Sequence, residues 1–144
     1  MRSLLDINVV IALLDSKHDF HNQAQDWWAQ CDNLKWATCP IIQNGVLRIM
    51  TNPAYNRPNS FSLTIVSDLL RDLFKLADHK FWPDDLSLLD QTIFDLEQVT
   101  GFRQLTDIYL LGLATKNQGR FVSFDSRVMI HLVPIANPEN LLLF

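Results

Sequence analysis

Two cysteines, Cys31 and Cys39, are too few for a disulfide scaffold, and neither has the CxxC or histidine companion spacing of a zinc site. Reduced, partly buried thiols are the expectation. Long hydrophobic runs are missing too. The longest near the N-terminus is "VVIALL", Val9 to Leu14, and the wider stretch "LLDINVVIALLD" is broken by Asp6 and Asn8. Neither a secretory signal nor a membrane span fits, which points to a soluble, cytoplasmic protein with no membrane partner. Charge is sparse, at 19% of residues, and 12 Lys+Arg stand against 16 Asp+Glu. The resulting net charge of -4 excludes a globally basic nucleic-acid coat and leaves room only for a local basic rim. The chain also lacks internal repeats, low-complexity tracts and charged tails.

What remains is a chain of 144 residues, 48% of them hydrophobic, which suffices for one compact domain over residues 1–144 and is too short for two. Short apolar runs alternate with longer helical patterns. "SLLDI", "LKWATC", "HKFWPDD", "RFVSF" and "HLVPI" read as strands, and "HNQAQDWWAQCD", "PIIQNGVLRIM", "FSLTIVSDLLRDLFKLAD" and "TDIYLLGLATKNQG" as helices. This rhythm predicts an α/β fold with a mostly parallel sheet covered on both faces. "TNPAYNRPNS", with its prolines and asparagines, reads as an irregular connection within the domain.

In such a sheet, right-handed crossovers bring each strand's carboxyl end and the next helix's amino end to one edge, where open α/β folds bind ligands. Asp6 ends the first strand, Asp125 ends "RFVSF", and Asp107 opens the "TDIYLL" helix behind Thr106, its expected cap. Gln43, in the first turn after "WATCP", projects to the same edge. Converging carboxylates raise one another's pKa unless a cation neutralises them, and oxygen-only ligands favour Mg²⁺ or Mn²⁺. Metal-assisted phosphodiester hydrolysis is the chemistry this implies. Taken singly, each Asp near a strand end reads more readily as a cap or solvated group. Asp15 and Asp19 read as turn and N-cap residues, Asp84 and Asp85 as the end of a strand, and His18, His21, His79 and His131 as structural.

"LLDINVVIALLD", "CPIIQNGVLRIM", "GFRQLTDIYLLGLA" and "RFVSFDSRV" resemble, in order and spacing, the four signature segments of PIN-domain ribonucleases, specifically the VapC toxins of bacterial toxin-antitoxin pairs. "HKFWPDDLSLLD" is similar to the family's central strand and following helix. The resemblance implies a PIN-like three-layer fold with about five parallel strands flanked by helices, a Mg²⁺ or Mn²⁺ site, an RNA substrate, a cognate antitoxin and a homodimer. Asp6, Asp107 and Asp125 match the metal-binding acids. Ser123 matches a small hydroxyl that orients the first Asp, with Asn8 a candidate for the same supporting shell. At the position of Gln43 the family typically carries Glu followed, as here, by "NG". Glutamine keeps the shape but brings no charge and one oxygen, so metal affinity and activity are expected to fall. An engineered near-isosteric change, a natural weakened homologue, and a helix glutamine with no site role all remain open.

Arg48, Arg57, Arg103, Arg120 and Arg127 fall within or near segments bordering the acidic edge and are candidates for phosphate contacts, Arg103 and Arg48 foremost. Trp27 and Trp28, adjacent on a helix, cannot both face the core, which sends one to an interface. The "FSLTIVSDLLRDLFKLAD" helix carries more apolar positions than one narrow stripe needs, a surplus suited to a second copy or an antitoxin. Two other readings compete with the nuclease: a non-catalytic PIN-like module binding RNA or protein, and a phosphatase-like fold with Asp6 as nucleophile. The latter usually has a second Asp where this chain has Asn8.

Overall fold

The first strand is three residues of complete burial. Ser3–Leu5 (β1) has no exposed side chain and lies at the centre of a five-stranded sheet, all of it parallel, in the order β3-β2-β1-β4-β5. The structure is a computed structural model and describes residues 1–55 and 61–144. Arg57 and the second half of the "TNPAYNRPNS" connection lie outside the described residues.

β1 leads directly into α1 (Ile7–Leu14), whose apolar run is buried on nearly every side because helices cover it where the sheet does not. "VVIALL" is therefore a core helix. Among the described residues no helix is long and apolar enough to cross a membrane. α2 (His21–Gln30) follows, then β2 (Lys35–Thr38), α3 (Pro40–Met50), α4 (Leu63–Lys75) and β3 (Asp78–Phe81). After two short 3₁₀ turns come α5 (Leu105–Lys116), β4 (Arg120–Ser123) and β5 (Leu141–Leu143). α1 packs against α2, α3 and α4, whereas α5 packs on β4 and β1. The two helical groups enclose the sheet between them.

Two close approaches set the helices' positions. A Cβ on Gly45 of α3 would lie 2.4 Å from Ile7 Cδ1, so glycine lets α3 seat against the residue that follows Asp6. A Cβ on Gly112 of α5 would lie 2.5 Å from the ring of Phe94, itself 2% exposed.

Several sequence expectations are corrected. "HLVPI" is not a strand: Ile130–Leu132 is a 3₁₀ turn, and the last strand is "LLL" at Leu141–Leu143, beside β4. Both are short apolar runs that periodicity alone does not separate, and what decides is anchoring. The Asn140 side chain donates to Gly119 O at 2.8 Å, delivering Leu141 to the start of β4. "HKFWPDD" forms an edge strand rather than a central one, and no helix directly follows it. Ser87 and Asp90 accept from backbone N–H groups two residues on, which favours turns over a helix.

Thr106 does not cap α5. A 3₁₀ turn at Phe102–Gln104 precedes the helix, so its cap falls at Gln104. Asp19 does not cap α2 either, a position taken by Phe20, while Asp15 ends α1 and accepts from Tyr55 Oη at 2.7 Å. Trp27 and Trp28 both find partners within the chain, Phe144 just beyond β5 and Trp36 of β2 respectively. Of the surplus on α4, Val66, Leu70 and Leu73 are buried while Leu63 and Ile65 stay exposed. Cys39 is fully buried and Cys31 half-buried, both free thiols.

Gly112→Ala tests the close packing of α5. Overpacking against Phe94 is expected to cost about 1–3 kcal/mol of unfolding free energy, measured by urea denaturation, despite alanine's better helix propensity.

Candidate active site

The carboxyl edge of the sheet gathers acids from three separate elements. Asp6 is the residue after β1, 7% exposed, and the N-cap of α1. Its Oδ1 accepts from Ile7 N at 2.7 Å, and its Oδ2 accepts from Ser123 Oγ at 2.7 Å. Ser123 is the last residue of β4, and its hydroxyl also accepts from Asp125 N at 3.0 Å. One buried hydroxyl thus ties the Asp6 carboxylate to the backbone of Asp125. Asp107 sits in the first turn of α5, whose amino end meets the same edge.

The electrostatics follow from crowding. Burial pushes the Asp6 carboxyl up, against the opposing hydrogen bonds from Ser123 and Ile7, and the charge of Asp125 adds to the rise. Burial, then the charges of Asp6 and Asp125, push Asp107 up to about 6, with Arg127 pulling the other way. Asp125 moves in the opposite direction: Arg127 Nε and Nη2 grip its two oxygens, at 2.9 and 2.6 Å, and hold its carboxyl below the usual range. The site is an asymmetric trio of two acids pressed toward neutrality and one locked as an anion.

These donors are all hard oxygens of one charge sign, the chemistry that suits Mg²⁺ or Mn²⁺. A dication would relieve the repulsion that raises Asp107. Among the described residues, no group of three or more His, Cys, Asp or Glu side chains is placed so that it could hold a metal ion. The geometry accords with this, since Asp6 is turned to Ser123 and Asp125 to Arg127.

The remaining sequence candidates are spread around this trio. Gln43 does not join it: its Nε2 donates to Thr38 Oγ1 at 3.0 Å, and Thr38 in turn bonds His79 Nε2 at 2.9 Å. In the β1–β2 and β1–β4 registers Thr38 shares a face with Leu5 and Val122, whereas Ser123 lies on the other. Asn8 is exposed in a hollow with Asp125 and Arg127, and no hydrogen bond ties it to Asp6. Arg48 lines a hollow with Asn44, Asp84, Ile7 and Thr106, adjoining the acids from the α3 side. Arg103 lines a third hollow together with Asp107, Asp125 and Arg127.

Arg120 is placed differently from the expectation. It opens β4, and its Nε donates to Ser3 Oγ at 3.0 Å, so it sits at the amino edge of the sheet. His79 is structural, stacked on Phe74 at 4.1 Å, and burial pulls its pKa down to about 4. Asp84 does more than end its strand. Its Oδ2 accepts from Ile41 N at 3.2 Å, helping to cap α3, and its Oδ1 is the one buried side-chain polar atom without a partner among the described residues. The same hollows hold two residues that no sequence signal singled out, Phe102 and Gln104.

Comparison with known proteins places this edge in context. No protein-family model matches the chain. Ribonuclease VapC44 of Mycobacterium tuberculosis is 39% identical over 141 residues, covering 98% of each chain. Ribonuclease VapC39 of the same organism is 37% identical over 126 residues, 88% of this chain and 90% of its own. Among solved structures, Mycobacterium tuberculosis VapC20, described as a Sarcin-Ricin loop cleaving toxin, superposes with a TM-score of 0.62 at 13% identity, over 94% of this chain and 99% of that one. VapBC2 from Rickettsia felis, bound to a DNA fragment from its promoter, gives 0.55 at 12% identity, over 100% and 98%. The architecture is that of a PIN domain: a five-stranded parallel sheet between helices, with acids along its carboxyl edge. The chain belongs to the VapC family of toxin ribonucleases.

The crowding has a measurable consequence in the metal-free chain. Asp107 has a folded pKa above its unfolded one, so its ionisation costs stability; the cost is absent below about pH 4 and complete above about pH 6. Asp107→Asn is expected to raise unfolding free energy by about 1–2 kcal/mol at pH 7 in chelator, after discounting for partial exposure. That gain should shrink toward zero by about pH 4 in denaturant titrations.

Proposed function

We propose that the chain is a divalent-metal-dependent endoribonuclease, the toxin of a toxin-antitoxin pair, hydrolysing RNA phosphodiester bonds at the Asp6, Asp107 and Asp125 edge. The observation that carries this reading is the mutual charge pressure on Asp107 from Asp6 and Asp125, three acids delivered by three different elements to one edge. A bound Mg²⁺ or Mn²⁺ would supply Lewis-acid stabilisation and a water of lowered pKa.

The chain's own residues do the rest. Asp6 is held in one rotamer by Ser123 and Ile7, so its oxygens are aimed before any ligand arrives. Asp107 must be deprotonated to ligate, so metal affinity declines as pH falls through about 6. Arg127, in exchanging part of its grip on Asp125 for a phosphate oxygen, and Arg103 beside it, position the strand without reading its sequence. The named relatives are ribonucleases, and one structural relative is a toxin-antitoxin complex, VapBC2. Both support an RNA substrate and an antitoxin partner here. A homodimer is part of the same reading, with the exposed Leu63 and Ile65 of α4 available to a second copy.

Gln43 belongs to this proposal as an attenuating residue. The α3 side of the site carries an amide bonded to Thr38 where a carboxylate would add charge. Glutamate fits the same space, because the Thr38 hydroxyl can donate to it while accepting from His79. A second reading, a PIN-like module that binds RNA or protein without cleaving, is favoured by the same observation, since Gln43 engages Thr38 instead of the acids.

The two separate on cleavage of a broad panel of fluorescent RNAs in Mg²⁺ or Mn²⁺. The nuclease reading expects Gln43→Glu to raise cleavage at least about tenfold, and Asp6→Asn to abolish it. RNA binding indifferent to chelator, with no cleavage by Gln43→Glu in either metal, would overturn it in favour of the module.

A further inference from the structure

The tryptophans, the obvious stacking residues, are spent on packing: Trp36 and Trp82 are buried, and Trp27 and Trp28 lean on Phe144 and Trp36. One aromatic ring beside the acids has no such employment. Phe102, in the 3₁₀ turn ahead of α5, is 79% exposed. Its only ring-face neighbour among the described residues is the adjacent guanidinium, Arg103 Cζ, 5.8 Å from the ring centroid. Phe20, on the other side of Asp125, differs: it is stacked on Phe124 at 4.7 Å and so is half covered already.

Phe102 lines a hollow of about 320 Å³ together with Asp107, Asp125, Arg127, Arg103 and Met129. The wall is built, not a chance gap in a loop. Gln104 Oε1 accepts from Thr100 N at 2.9 Å and Gly101 N at 3.2 Å, and its Nε2 reaches Met129 Sδ at 3.6 Å, tying the turn to the segment beyond β4. Arg103 forms no ion pair among the described residues and faces the same space. An exposed apolar ring, a cation without an ion pair that lies over one face of it, and a thioether edge, beside the acids, form a surface matched to a flat π-system attached to an anion.

We propose that this hollow binds one unstacked nucleobase of the RNA, adjacent to the scissile phosphate, with Phe102 as its stacking platform and Arg103 on the neighbouring phosphate. The proposal rests on the ribonuclease reading and deepens it. A base held inside a duplex cannot reach the ring, so the subsite takes only an unpaired base. Because every base has a π-face, Phe102 confers conformational selectivity and little base identity.

The test uses single-stranded RNA hexamers carrying one central 2-aminopurine, flanked by U, C, A or G, in Mg²⁺, on an Asp6→Asn background that keeps the RNA intact. The parent chain is expected to quench 2-aminopurine fluorescence on binding. Adding Phe102→Ala should remove the quench and weaken binding by about 5- to 100-fold, while Phe102→Trp retains both. As the side chain is exposed, thermal unfolding of Phe102→Ala should match the parent. Absence of quenching with all four hexamers, or unchanged quenching and affinity in Phe102→Ala, overturns the proposal and leaves the hollow to a peptide partner. Loss of the quench on Phe102→Ala in a chain whose Gln43→Glu form, with Asp6 intact, cleaves no RNA would sink the ribonuclease reading while the subsite stands. Cleavage that Phe102→Ala leaves untouched would do the reverse.

Discussion

The hydrogen bond from Ser123 to Asp6 joins the two central strands at the edge where chemistry is expected, and the rest of the site depends on it. It partly opposes the burial that drives the Asp6 carboxyl toward its neutral form, and through Asp125 N the same hydroxyl sets where the next acid begins. Without it, Asp6 would be an almost fully buried acid with a single partner, at a position where the Asp125 charge already disfavours ionisation.

Around that bond the fold arranges charges of both signs in a deliberate imbalance. Asp107 arrives on the amino end of α5, where the helix dipole favours an anion, yet burial and two like charges outweigh that help and leave it titrating near neutrality. Arg127 offsets Asp125 through direct hydrogen bonds and Asp107 only weakly, by charge alone. The unmet negative charge is concentrated on Asp6 and Asp107, and this is the surplus that a divalent cation would balance. Beyond it lie hollows lined by Arg48, Arg103 and Arg127, so a polyanion would meet cations on either side of the acids despite the chain's net charge of -4.

Much of the fold was legible because its signals are local. "SLLDI", "LKWATC" and "RFVSF" sit between turn and cap residues, and "VVIALL" could only be core. The errors fall where a local pattern is ambiguous. "HLVPI" and "LLLF" are both short apolar runs, and the Asn140 bond to Gly119 chose the second. Thr106 looked like a cap, but Gln104 had organised a tighter turn ahead of it. Trp27 and Trp28 looked incompatible until the chain's last residue supplied a partner.

The sequence by itself determined the class of fold and which carboxylates end on one edge, because both follow from alternation, chain order and the handedness of crossovers, properties of nearest neighbours along the chain. Tertiary structure alone decided which way the side chains turn there. Gln43 goes to Thr38, Arg127 to Asp125 and Arg120 to the far edge, while Phe102 is left bare beside the acids. The Arg120–Ser3 and Ser123–Asp6 bonds join partners 117 residues apart, whose meeting is set by packing and register, and even the short-range choices of Gln43 and Arg127 are made among neighbours that the fold supplies.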